Sequence, residues 1–132
     1  MASILKVDTL TGKSTAGSIA VTGEGNSTTT NLQQGLCKAW VHVHNNASID
    51  DSFNISAYED TGTGSSQITY TNNMGNDDYV GSGLARETSS GGDAFLRFSG
   101  IFSTSQTKYF CRASGSSLDG ETQTMLTHGD LA

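Results

Sequence analysis

The sequence predicts an all-β protein: an antiparallel, jelly-roll-like β-sandwich of about seven to eight short strands, preceded by an extended N-terminal arm. Three observations predict it. Apolar and polar residues alternate in short runs, as on strands with one face buried, and no segment sustains a helical apolar period. Glycine (16), serine (18) and threonine (17) make up 51 of the 132 residues and collect, with Asn and Asp, between the runs. Ten aromatics are spaced along the runs, which separates this composition from that of a disordered chain.

Residues 1–35 read as the arm. Ile4, Val7 and Leu10 are too sparse for a helix face, and the surrounding residues are polar. Ser18-Ile19-Ala20-Val21-Thr22 fits one short strand, and Asn31-Leu32-Gln33-Gln34 one helical turn. Such a segment cannot bury itself, so Ile4, Leu5, Val7 and Leu10 are expected to dock on another chain. Two phosphate-loop lookalikes lack their required context. Gly12-Lys13-Ser14 has Val7 where a P-loop needs its first glycine, and Gly23-Glu24-Gly25 has Thr28 where a dinucleotide fingerprint needs its third.

Residues 36–132 read as the sandwich. In Leu36 to His44, Ala39, Val41 and Val43 share one face; Lys38, Trp40, His42 and His44 share the other. Asn45-Asn46 is a turn signal, because Asn tolerates positive φ. A second strand follows, with Ile49, Phe53, Ile55 and Ala57 expected on one face. Glu59 to Ser66 is a turn, and Gln67 to Thr71 returns as a third strand. Asn72 to Asp78 connects to Tyr79–Ala85, a strand weakened by Gly81 and Gly83, as where another backbone approaches. After an exposed loop from Arg86 to Asp93 come strands at Ala94–Phe102, Lys108–Ala113 and Thr122–His128.

The composition narrows the function classes. The formal charge is −6 and no Lys/Arg stripe exists, which argues against nucleic-acid binding and against an anionic membrane surface. No apolar run approaches the ~18 residues of a membrane span. The first residues carry neither the charged nor the apolar region of a secretory signal, so the two cysteines, Cys37 and Cys111, are expected as free thiols; a disulfide between their strands is the alternative. Proline is absent, which removes one common way of blunting sheet edges, and the core is lean. Both features suit a chain that completes its burial in an assembly.

Several stretches carry a family resemblance. Lys38-Ala39-Trp40, then Ser52-Phe53-Asn54-Ile55-Ser56, then Asp60-Thr61-Gly62-Thr63-Gly64 and Ile68-Thr69-Tyr70-Thr71 resemble a β module of bacteriophage tail-fibre proteins, especially those of marine phages. Tyr79 after an Asn/Asp-rich loop fits the same pattern, and Ser3 to Leu10 looks like the opening of many such proteins. The resemblance covers residues 36 to about 80 well. It implies a homotrimeric, non-enzymatic virion protein, assembled in the host cytoplasm and attached to other virion proteins through the arm. A host surface glycan is a further possible partner. Two departures matter. His42 and His44 stand where the family usually has polar residues such as Asn, and the chain is short, with no shaft. A compact tail-fibre or tail-associated subunit therefore competes with a capsid decoration or head-fibre protein, and with a carbohydrate-binding module.

Candidate chemistry is sparse. His42 and His44 point the same way, ~6.5–7 Å apart along the strand, and three copies around a symmetry axis would supply six nitrogens to an octahedral metal. The plainer expectation is two half-exposed histidines beside Trp40, with no metal or other cofactor. Trp40 itself fills a sheet core, packs across a subunit boundary, or stacks on a sugar. Asp77-Asp78 with Asn73 and Asn76 offers oxygens to calcium without EF-hand spacing. Asp50 and Asp51 are expected on opposite faces, so they do not form an acid–base pair, and no serine sits in Gly-x-Ser-x-Gly. No catalytic residue is expected. Lys38 and Arg97 are expected as solvated or interface charges.

Overall fold

The computed structural model describes residues 4–13, 19–23, 29–44, 48–86, 94–113 and 115–130. The turn expected at Asn45-Asn46 and the loop segment 87–93 lie outside the described residues. The chain divides into two units, residues 1–36 and 37–132.

In the first unit, residues 4–13 form no strand or helix and are exposed along their whole length. Strand β1 (Ala20–Thr22) pairs antiparallel with β2 (Thr29–Asn31), and α1 (Leu32–Gly35) is one helical turn. The Leu32 N–H donates to the Ile19 carbonyl at 2.9 Å, tying that turn to the strand pair. The strand around Ala20 and the turn at Leu32 lie where the pattern put them. The partner strand Thr29–Asn31 is an addition to the expected arm, and its β-branched threonines favour a strand.

The second unit is all-β and antiparallel. Its strands are β3 (Ala39–His44), β4 (Ser48–Phe53), β5 (Ile55–Gly62), β6 (Ser65–Tyr70), β7 (Val80–Arg86), β8 (Ala94–Phe102), β9 (Gln106–Ala113), β10 (Ser116–Ser117) and β11 (Thr122–His128). They form one sheet in the order β4-β3-β11-β7-β8-β9-β6-β5, with β10 paired to β9. The sheet curls on itself into a sandwich-like, nearly closed barrel, so the facing layers are parts of one continuous sheet.

Closure depends on Asn54. The expected single strand over Ile49–Ala57 is two strands, β4 and β5, which lie at opposite ends of the strand order. Asn54 between them has φ 58°, a left-handed conformation that Asn tolerates better than most residues. Its Nδ2 donates to the carbonyls of Lys38 and Asn72, both at 3.1 Å, and its Oδ1 accepts from the Asn72 N–H at 2.7 Å. The Thr71 N–H reaches the Asn54 carbonyl at 3.1 Å. One side chain thus joins the start of β3, the β4–β5 corner and the exit from β6. The register also corrects the expected face, which it divides: Phe53 stands beside Trp40 on the outer side, whereas Ile49 pairs with the inward-facing Val43.

The interior is built as the alternation requires. Ala39, Val41 and Val43 face inward from β3, opposite Thr127, Met125 and Gln123 of β11, whose other neighbours are Gly81, Gly83 and Ala85 of β7. Ile68, Tyr70 and Tyr109 fill the opposite wall. Tyr79 packs edge-on against Tyr70 and Phe102, with centroids 5.8 and 5.1 Å away, and its hydroxyl reaches the carbonyls of Ser103 and Gln106. Met74 is fully buried, although its polar neighbours gave it the look of a loop residue. Burial pushes the phenols of Tyr70 and Tyr109 well above the usual tyrosine range; the nearby Tyr58 phenol adds to the effect at Tyr109.

Two sequence features acquire specific causes. Gly81 and Gly83 make room for side chains as well as backbone: a Cβ on Gly81 would overlap the Phe98 ring, and one on Gly83 would stand 2.6 Å from Leu96 Cδ1 and 2.5 Å from the Thr124 carbonyl. The Asp-x-Gly-Thr-Gly turn docks on β9. Gly64 has φ 68°, its N–H donates to Asp119 Oδ1 at 2.6 Å, and its carbonyl accepts from the Cys111 N–H at 2.8 Å. A Cβ there would meet the Cys111 carbonyl at 2.6 Å.

Lys38 corrects another expectation. It lies just before β3 and is buried, where a solvated or interface charge was expected. Its N–H pairs with the Thr127 carbonyl at 2.8 Å, so the backbone here is held inside the closure that Asn54 completes. Cys37 and Cys111 are both free thiols; Cys111 is buried on β9, and the Cys37 thiol donates to the Ala39 carbonyl at 3.1 Å.

Candidate functional site

The candidate site is the outer face of β3 and its neighbours. Because Ala39, Val41 and Val43 face inward, Trp40, His42 and His44 must face outward. The pairing register then assembles two rows. Phe53, Trp40, Leu126 and Ser82 form the first, across β4, β3, β11 and β7. Asp51, His42, Thr124, Leu84 and Phe95 form the second, which reaches β8.

These rows leave a large apolar surface in solvent. Trp40 is 36% exposed, Phe53 51%, Phe95 50% and Leu84 75%. Between them runs a groove of about 630 Å³ over β3, β11 and β7, edged by Trp40, Leu84 and Leu126 and floored by Val41, Gly83 and Met125. Trp40 therefore does not fill the sheet core, one of the three places open to it from sequence. These exposed apolar side chains adjoin one another along the rows rather than lying scattered singly over the surface.

The histidines sit at the end of this face. A β-bulge in β4 pairs His42 with Asp51 and Val43 with Ile49, leaving Asp50 as the extra residue. Its Oδ2 lies 3.8 Å from His42 Nδ1 and 3.7 Å from His44 Nδ1. The bulge also brings Asp50 to the side of the sheet that His42 and His44 occupy, whereas uninterrupted alternation would place it opposite Asp51. Asp51 accepts the Ser52 N–H at 2.8 Å and forms no ion pair among the described residues. No group of three or more His, Cys, Asp or Glu side chains is arranged to hold a metal ion among the described residues.

Other candidates are dispersed. Ile4, Leu5, Val7 and Leu10 are exposed in the first unit. The Asn76 side-chain oxygen accepts the Asp78 N–H at 2.9 Å in a local turn. Arg86, where the exposed loop to Asp93 begins, forms an ion pair with Glu121 at 2.8 Å. The exposed Leu84 and Phe95 escaped sequence reasoning, since in a strand an outward leucine looks like an inward one until its register is known.

Among the described residues no helix is long and apolar enough to cross a membrane. Compared with family models, with curated proteins and with solved structures, the chain matches none.

Proposed function

We propose that this chain is a non-enzymatic structural subunit of a bacteriophage virion, a tail-fibre or tail-associated protein that works as a homotrimer. The observation that carries the proposal is the apolar outer face formed by Trp40, Phe53, Leu84, Phe95 and Leu126. A lone chain in water gains nothing from it, whereas a neighbouring subunit would bury it at about 25 cal/mol per Å² of apolar area. The resemblance of residues 36–80 to fibre modules supports the same reading, and the exposed Ile4, Leu5, Val7 and Leu10 suit an arm that docks on other virion proteins. Capsid decoration is the competing location.

Sedimentation equilibrium of the full chain tests the assembly: three copies are expected, with Trp40→Glu shifting the population toward monomer. A wild-type chain that stays monomeric at micromolar concentration overturns it. Antibody labelling of purified particles tests the location. Label on the tail is expected, label on the head replaces the tail with the capsid, and its absence from particles ends the virion reading.

Glycan recognition is a second reading, favoured by Trp40 at the edge of the groove. A mainly apolar lining suits a protein contact better than a sugar, whose hydroxyls need polar partners.

A further inference from the structure

The outer face changes character between β7 and β9. Past Leu84 and Phe95 it carries Arg97 on β8 and Lys108 and Arg112 on β9. The pairings Phe95↔Arg112 and Arg97↔Phe110 alternate aromatic and guanidinium groups across the two strands. Arg97, Phe110, Arg112 and Ser117 line a hollow of about 240 Å³. Two cations share this hollow, and neither forms an ion pair among the described residues. Arg112 spends one Nη on the Gly115 carbonyl at 2.7 Å, while its Nε is buried with no hydrogen-bond partner. This is unusual in a unit where five Lys/Arg stand against eleven Asp/Glu.

The β4 end of the same face is its chemical complement. Asp51 is exposed and without an ion pair among the described residues, Asp50 stands beside it, and Phe53 and Trp40 flank them. One patch presents carboxylates with aromatic neighbours; the other presents guanidiniums with aromatic neighbours. The strand order separates them, with β11 and β7 between β3 and β8. A single chain therefore does not pair them through the register of its own sheet. A head-to-tail contact between copies pairs both at once and, repeated by rotation, closes a ring. Asp77 and Asp78 are a poorer counterpart, because they lie in a connection with only Val80 as an exposed apolar neighbour.

We infer that the β8–β9 hollow at Arg97 and Arg112 receives the Asp50–Asp51 end of the β3–β4 face of a second copy, making the subunit contact heterologous. The inference rests on the homo-oligomer reading above and specifies which surface meets which. Face-to-face pairing of two identical β3–β4 ends would instead bring carboxylates of like charge together.

Charge reversal in the full chain, followed by sedimentation, tests it. Asp51→Arg and Arg97→Asp are each expected to weaken association by about tenfold or more, as like charges then face each other across the contact. The double variant carrying both changes is expected to recover much of that loss, and Asp77→Arg, an equal charge change elsewhere, to leave association unaltered. Both test residues are exposed, and circular dichroism checks that each variant is folded. If neither single reversal weakens association while Trp40→Glu does, the oligomer stands and this pairing is wrong. If the singles weaken it and the double does not recover, the two patches do not oppose each other, and the inference falls. Loss with Arg97→Asp alone assigns the hollow to another anion and also overturns it. A wild-type monomer removes both the inference and the reading beneath it.

Discussion

The ring of Phe98 occupies the space where Gly81 has no side chain, so the two residues share one position in the interior between β7 and β8. Glycine costs a strand some stability through backbone entropy, and here the aromatic ring it admits offsets that cost. Phe98 in turn stacks on Phe102 with centroids 5.8 Å apart, which continues the row to Tyr79.

Gly81→Ala is expected to destabilise the protein by about 1–3 kcal/mol, the range for forcing an extra carbon into a packed interior. Denaturant unfolding checks this, and Phe98→Leu in the same chain should recover part of the loss. An unchanged midpoint would show that the ring yields freely.

Asn54 makes a separable prediction. Asn54→Gly keeps the left-handed backbone and loses the bonds to Lys38 and Asn72, for an expected loss of about 1–3 kcal/mol. Asn54→Ala should cost about 1 kcal/mol more, because alanine resists positive φ. Equal stability of the two variants in chemical denaturation would remove the backbone part of this account.

Alkaline pH should unfold the protein through its buried phenols. Burial raises Tyr70 and Tyr109, so their neutral form is favoured in the folded state. Below about pH 10 both states keep the proton and pH has no hold. Above it the unfolded chain ionises while the folded chain does not, so stability falls as pH rises. Thermal melts from pH 8 to 12 should decline beyond pH 10, and Tyr70 and Tyr109 should ionise, by ultraviolet absorbance, only on unfolding. A flat melting temperature across that range contradicts the assignment.

Thiol reactivity should differ between the cysteines. Cys37 is partly exposed and Cys111 buried, so a thiol reagent should modify one group in the native protein and two in denaturant. Finding no reactive thiol in denaturant would mean that the pair is oxidised.

The sequence by itself determined the class of fold and the direction of most strand side chains. Alternation along β3 separated Val41 from Trp40 and His42 because successive residues of an extended chain point to opposite faces, which is a local property. Tertiary structure alone decided which residues became neighbours. Asn54 sends two consecutive strands to opposite ends of the sheet, a bulge turns Asp50 toward His42 and His44, and closure buries Lys38 and Met74. The outward row joins Phe53 and Trp40, from consecutive strands, to Leu126 of β11 at the far end of the unit. Register and closure follow from contacts between distant residues, and alternation within one strand carries no record of its partners.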